Sequence, residues 1–326
     1  MNNIRKFCVA PMMGYTTPHA RKLYRILSKK AFLFSEMIPA KTMIHSKNKD
    51  FIIDNNNSNP VALQVGGSDL KELAICSKIA ETYNYDEINL NVGCPSKAVQ
   101  KGSFGACLMK DKHLVRNCLE SMVNSTNIKV SIKCRIGLGK EFNYEFFYNF
   151  INEITKSGIN TIYVHARNAI LSNFSPSKNR TIPPLNYDFV KKIKNEFPKI
   201  QFIINGGINS IEEAKLLLKD YDGVMIGRLI QNNPFCLLRV DKEIYNLKKQ
   251  NIFYQKIISN YFDYIKIHNE KDSIFRLLSP LLKIFFNVPN SKKFKSDIQS
   301  KMQNNNLDVL EKIFLNFVAN EKLISN

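Results

Sequence analysis

Eight short β-type runs, helical stretches between them and a strand-free C-terminal region place the chain in the α/β class. The pattern predicts a (β/α)8 TIM barrel followed by a small all-helical domain. A doubly wound sheet has the same alternation and stays open as a second architecture, because strand count does not by itself close a barrel.

The runs are Phe7–Met12, Ala31–Met37, Val61–Val65, Glu87–Asn91, Lys129–Lys133, Thr161–His165, Gln201–Asn205 and Gly223–Gly227. Between them, Leu70–Tyr83, Leu114–Asn124, Phe142–Lys156 and Ile211–Asp220 carry apolar residues at helical spacing. After about Arg239 the composition changes, and Glu243–Asn269, Ser273–Phe286 and Leu307–Ile324 read as amphipathic helices. The expected division is 1–240 for the barrel and 241–326 for the helical domain. The latter serves as a barrel cap or a substrate-docking unit. Residues 168–187 form a long connection after the sixth strand, with the basic, proline-interrupted segment Ser175–Pro184 at its centre. Long loops in compact domains are functional or disordered; this one opens on the rim that carries the polar residues below, which favours function.

The chain of 326 residues has room for a substantial core. Its seven cysteines, an odd number without a C-x-x-C pair, argue against a disulfide framework or a metal site and for a reducing, cytoplasmic setting. Met1–Lys6 leads directly into a strand-like segment, so no signal peptide is expected, and no apolar run suits a membrane span. The formal charge of +19 suggests a polyanionic partner. Lysine- and asparagine-rich tracts, such as Asn55-Asn56-Asn57 and Asn304-Asn305-Asn306, offer composition bias as the competing explanation.

The polar residues that carry chemistry stand at strand ends, where barrels build active sites and hold phosphate after strands seven and eight. Strand seven ends in Asn205-Gly206-Gly207 and strand eight in Gly227-Arg228. Glycines let backbone N–H groups approach phosphate oxygens, and Arg228 adds charge. Strand one ends in Pro11-Met12-Met13, a soft apolar wall for a flat ring; a tight turn with a core methionine reads equally well. Gln64 ends strand three and could bond a ring edge. Lys133 ends strand five and could stabilise negative charge on a reduced ring. His165 ends strand six, followed by Arg167, and could instead be a structural residue. Together they describe a phosphate at one end of a polar-edged aromatic system, and flavin mononucleotide (FMN) fits.

Cys94 follows strand four in Asn91-Val92-Gly93-Cys94-Pro95-Ser96. A buried structural thiol is the ordinary role for a cysteine. A turn past a strand end is instead open to substrate, where Cys94 could act as nucleophile or as general acid. Hydride addition to an activated double bond needs a proton on the adjacent carbon, and a thiol can give it.

These residues resemble the tRNA-dihydrouridine synthases, most closely the bacterial dihydrouridine synthase A subfamily. The resemblance runs from about Val9 to Asn246 and rests on Tyr85–Met109 and Phe174–Tyr187, with support from Ala62–Gly67, Ile204–Ile208 and Asp222–Arg228. It implies an FMN barrel that uses NADPH to reduce the C5–C6 bond of uridine in the tRNA D-loop, at U20 and U20a. Hydride goes from flavin to C6 and a proton from Cys94 to C5. It further implies that Pro11, Met12, Met13, Gln64, Lys133, His165, Asn205, Gly206, Gly207, Gly227 and Arg228 hold FMN. Asn91 would contact the target uridine, and Lys178 and Arg180 the tRNA. No metal and no obligate protein partner are expected, and the protein would act as a monomer. Two other readings compete: a flavin barrel acting on a free small molecule such as a pyrimidine, and a non-enzymatic RNA-binding protein on the same barrel. The basic loop and helical tail weigh against the first, and Cys94 with Lys133 and His165 against the second.

Overall fold

The computed structural model describes residues 3–48, 52–140, 142–171, 174–248, 253–285, 289–302 and 306–320. Eight parallel strands are β1 (Phe7–Val9), β2 (Leu33–Pro39), β3 (Val61–Gly66), β4 (Glu87–Val92), β5 (Lys129–Arg135), β6 (Thr161–His165), β7 (Gln201–Asn205) and β8 (Gly223–Ile226). They follow the order β1-β8-β7-β6-β5-β4-β3-β2. A bridge between Cys8 and Phe32 brings β1 back to the chain entering β2, with Val9 N donating to Phe32 O and Phe32 N to Phe7 O. The sheet therefore closes on itself as a (β/α)8 barrel, and the doubly wound alternative falls away.

Two-residue alternation sorts the strand side chains into two layers. Cys8, Phe34, Ala62, Tyr163, Ile203 and Met225 form a compact inner cluster. Their strand neighbours Val9, Leu63, Ile88, Leu90, Ile132, Val164 and Ile204 pack outward with the helices in the main core. The inward set continues toward the C-terminal ends as Gln64, Asn89, Asn91, Lys133, Arg135, His165 and Asn205. The barrel is thus apolar in its lower interior and polar at its mouth.

The helices after the strands are α1 (Pro18–Leu27), α2 (Ala40–His45), α3 (Leu70–Thr82), α4 (Lys97–Lys101), α5 (Lys112–Val123), α6 (Tyr144–Thr155), α7 (Tyr187–Glu196), α8 (Ile211–Leu217), α9 (Arg228–Asn232) and α10 (Leu237–Glu243). Thr17, Asp69, Ser96, Asp111, Asn143, Asn186 and Ser210 each cap a helix by accepting from the backbone N–H three residues on. Each such cap stabilises its helix by about 1 kcal/mol and marks where a βα loop ends.

The C-terminal region contains α11 (Tyr254–His268), α12 (Ile274–Ile284), α13 (Ser291–Met302) and α14 (Leu307–Asn320). Phe262, Phe285, Phe294, Phe314 and Phe317 form its aromatic centre, with Phe294 stacked on Phe317. It joins the barrel at α1: the two ring nitrogens of His19 bond Tyr264 Oη at 2.6 Å and Asp272 at 2.9 Å. The expected single helix over Glu243–Asn269 is corrected here. Helix α10 already ends at Glu243, Asn246 takes a left-handed φ of 55°, and α11 starts at Tyr254. Phe286 and residues 321–324, the ends of the other two expected helices, lie outside the described residues. Among the described residues, no helix is long and apolar enough to cross a membrane.

Candidate active site

Cys94 sits on a turn held from three sides. Asn91 Oδ1 accepts from Gly93 N at 3.2 Å and Cys94 N at 3.0 Å. Arg135 Nε donates to Gly93 O at 2.9 Å, and Ala106 N donates to Cys94 O at 2.9 Å. The last contact depends on Gly105, at φ 79°, where a Cβ would lie 2.6 Å from Cys94 O. Among the seven cysteines only Cys94 and Cys107 are half-buried; the other five are buried. Burial pushes the thiols of Cys76, Cys118, Cys134 and Cys236 up to about 12 and raises that of Cys8 well above the usual thiol value. Cys94 is the thiol at the barrel mouth.

Across the mouth the strand register sets Lys133 beside Asn91, and Arg135, His165 and Asn205 in one row. Lys133 Nζ donates to Asn205 Oδ1 at 3.0 Å, and Asn205 Nδ2 donates to Met225 O at 2.8 Å. His165 is 8% exposed and makes no side-chain hydrogen bond within the described residues. Burial, then Arg135, Lys133, Arg167 and Arg228, hold its pKa well below the usual imidazole value, so the ring is neutral. No carboxylate features among the charges acting on His165, Lys133, Arg135 or Arg167. Lys133, Arg135, Arg167 and Arg228 therefore converge on one end of the mouth, and among the described residues none of them pairs with a carboxylate.

Two of them also secure the long loop. Arg135 Nη1 donates to Asn168 O and Asn179 O, both at 3.0 Å, and Arg167 donates to Thr181 O and Pro183 O. Asn179 is fully buried and exchanges two 2.8 Å bonds with the Ile170 backbone. Its neighbours Lys178 and Arg180 are exposed. Gln100 Nε2 bonds both Pro95 O and Leu171 O, linking the cysteine turn to this loop.

The geometry suits a phosphate. Gly206 and Gly207 have φ of 111° and 73°, and a Cβ on Gly206 would lie 2.6 Å from the His165 ring, so no side chain fits there. Among the described residues, the buried Arg167 Nε has no hydrogen-bond partner. Gly227 and Arg228 open α9 on the same side and are half-buried. Met12 packs onto the inner cluster, within 3.4 Å of a Cβ built on Gly227. Pro11 is half-buried, while Met13 is 67% exposed and points away into a pocket beside α12. Gln64 and Asn91 are nearly buried and bonded to each other at 2.8 Å. The residues expected from sequence thus share one rim, except Met13 at its edge and Lys178 and Arg180 on the loop surface. Arg135 and Asn179 were not singled out from sequence. For Arg135 a signal existed: two residues past Lys133, it must share the inward face.

Lys133 gives a pH prediction. Burial and the nearby Arg135 push its pKa from 10.5 down to about 8. Between those values the unfolded chain binds more protons, so this residue's contribution to stability grows as pH rises through the window. An anion bound beside the ammonium reverses the preference and draws a proton in. Affinity for an anionic ligand at this rim, followed by calorimetry, is expected to fall as pH rises through about 8. Lys133→Met removes that step; an unchanged profile in the variant would contradict the assignment.

A (β/α)8 barrel with a cysteine and a cationic cluster on its C-terminal rim has the make-up of a barrel enzyme site suited to an anionic group. Comparison with known proteins narrows the class. The family model described as dihydrouridine synthase (Dus) matches residues 8–319. A tRNA-dihydrouridine(20/20a) synthase of Vibrio cholerae is 41% identical over 300 residues, covering 91% of each chain. Proteins of the same description from Shigella flexneri and Escherichia coli K12 are each 41% identical over 292 residues, covering 89% of this chain and 86% and 84% of theirs. The chain belongs to the dihydrouridine synthase family and is an oxidoreductase.

Proposed function

We propose that this protein reduces the C5–C6 double bond of uridine in the tRNA D-loop, at positions 20 and 20a, with FMN as cofactor and NADPH as reductant. The observation that carries the reading is the cationic cluster without a carboxylate, on the same rim as the half-buried Cys94. The named activity of the relatives supports the RNA substrate.

Gly206, Gly207, Gly227, Arg167 and Arg228 would hold the phosphate, with Met12, Gln64, Lys133, His165 and Asn205 around the ring system. Bound there, FMN supplies the hydride that adds to uracil C6. Asn91 orients the base. Lys133 sits where negative charge develops and offsets it. The Cys94 thiol gives its proton to C5, and the thiolate left behind regains a proton from solvent. The product would be 5,6-dihydrouridine, with NADPH as the source of the reducing electrons.

A base stacked in folded tRNA must be extruded to reach the mouth, at a cost of a few kcal/mol that phosphate contacts offset. Residues 1–240 would carry the chemistry and 241–326 help dock the RNA, in a monomer that needs no protein partner. A pocket of about 310 Å³ lies where the two regions meet, lined by Met13, Glu36, Met37, Phe275 and Lys283. The exposed Lys178 and Arg180 are placed to meet phosphates. Replacing either by alanine is expected to weaken tRNA binding and to lower the slope of log K against log salt by about 0.7–0.9. An unchanged slope in both variants would remove the loop from the interface.

The test of the reading is mass-spectrometric mapping of unmodified tRNA after incubation with protein, FMN and NADPH. A mass gain matching one added hydride and one added proton is expected at each of positions 20 and 20a. A gain elsewhere in the D-loop would overturn the position. No gain, with FMN bound and NADPH consumed, would favour a free pyrimidine as substrate.

A further inference from the structure

A single file of hydrogen-bonded side chains runs from the barrel floor to the cysteine turn. At the floor the Glu87 carboxylate, fully buried, is paired with Arg5 at 2.6 Å. Ser131 Oγ donates to its other oxygen. Asn89 Nδ2 donates to Ser131 Oγ at 2.7 Å, Gln64 Nε2 to Asn89 Oδ1 at 2.8 Å, and Asn91 Nδ2 to Gln64 Oε1 at 2.8 Å. At the top, Asn91 Oδ1 accepts from Gly93 N and Cys94 N.

The direction of this file is determined at both ends. A carboxylate held by an arginine offers only acceptor oxygens, so the Ser131 hydroxyl must donate to it. Each amide above then has its oxygen toward the mouth-side neighbour that donates to it. The two backbone N–H groups at the top can only donate, and the file meets them with a carbonyl. Every link agrees, which is the condition for a buried polar network to specify one arrangement. Among the described residues, one N–H of Gln64 and one of Asn91 make no hydrogen bond. Both are donors, and they suit a ligand edge of carbonyl oxygens rather than an amino group.

We propose that Glu87, acting through Ser131 and Asn89, is a positioning and specificity element. It holds Asn91 with its carbonyl on the Cys94 turn and its N–H toward the pyrimidine C4 substituent, a carbonyl in uridine and an amino group in cytidine, so that uridine is accepted and cytidine rejected. This rests on the uridine reduction proposed above. In Glu87→Gln the floor group can donate, Ser131 can turn round, and the file can reverse, bringing the Asn91 NH2 against the Cys94 N–H.

The test uses purified holoenzyme with reduced flavin and two RNAs, one with uridine and one with cytidine at the target positions. Single-turnover dihydrouridine formation per bound flavin is expected to fall about tenfold in Glu87→Gln, the loss of one oriented hydrogen bond. The cytidine RNA should compete better against that variant than against wild type. Because Glu87→Gln strands the Arg5 cation, Ser131→Ala is the second variant: it cuts the file and leaves the ion pair intact. Ser131→Thr, which keeps the hydroxyl, should restore both readouts. A purely structural role would lower melting temperature and flavin content but leave the rate per flavin and the uridine-to-cytidine ratio at wild-type values, and that result would overturn the proposal. Absence of dihydrouridine with the wild type would instead overturn the reaction on which it rests.

Discussion

Cys94→Ala is expected to abolish dihydrouridine formation while FMN binding and flavin reduction by NADPH continue. Loss of a positioned proton donor costs about 10²–10⁴-fold in rate. The substitution should leave the turn in place, because its fastenings are to backbone: Asn91 Oδ1 holds Cys94 N, and Ala106 N holds Cys94 O. None of the phosphate-side groups touches the thiol through a hydrogen bond. The measurement is a pair of rates on one sample, anaerobic flavin reduction by absorbance and dihydrouridine by mass spectrometry. The first should match wild type and the second should collapse. Full turnover in the variant would remove Cys94 from the mechanism. Cys107, the other half-buried thiol, bonds Phe104 O and is not expected to substitute.

Arg228→Ala is expected to separate cofactor retention from stability. Arg228 makes no hydrogen bond or ion pair within the described residues, and its charge acts unfavourably on His165 and Arg167. Removing it relieves repulsion in the ligand-free protein, so melting temperature without cofactor should hold or rise. A charge-assisted bond to phosphate contributes about 1.5–3 kcal/mol, which converts to roughly 10- to 150-fold in FMN affinity. Arg167→Ala should behave differently, since Arg167 also fastens Thr181 O and Pro183 O of the long loop. It should lose both affinity and stability. Equal FMN affinity in Arg228→Ala and wild type would place the phosphate elsewhere.

Much of the barrel was legible because its signals are local. The runs Thr161–His165 and Gln201–Asn205 match β6 and β7 in both ends, and the seven capping residues mark loop ends without tertiary information. Strands β1 and β8 end earlier than their apolar runs, since Ala10–Met12 and Gly227 leave the sheet to form the rim. Helix α13 escaped notice because its sequence is mostly lysine, serine and glutamine. Its buried apolar residues are Phe294, Ile298 and Met302, at a spacing of four, with Ser291 buried beside them. The break after Glu243 depends on one left-handed asparagine, which periodicity does not see.

The candidate site was legible as a set of strand ends but not as a network. That Lys133 and Asn205 would bond follows from register, which only the closed sheet supplies. The directed file beneath Cys94 joins residues up to 44 positions apart, as between Ser131 and Glu87, and no linear pattern announces it. Arg135 illustrates the same limit. Its position two after Lys133 predicts its face, while its three carbonyl partners come from two other loops.

The most direct measurement of the central claim is a single turnover under anaerobic conditions. Holoenzyme reduced with limiting NADPH is mixed with unmodified tRNA in deuterated water, and flavin absorbance and dihydrouridine are followed together. One dihydrouridine per flavin reoxidised is predicted, with solvent deuterium at C5 from the exchanged thiol and, because the N–H that yields the hydride also exchanges with solvent, at C6 as well. Flavin reoxidation without dihydrouridine, or a product lacking solvent deuterium at C5, would contradict it.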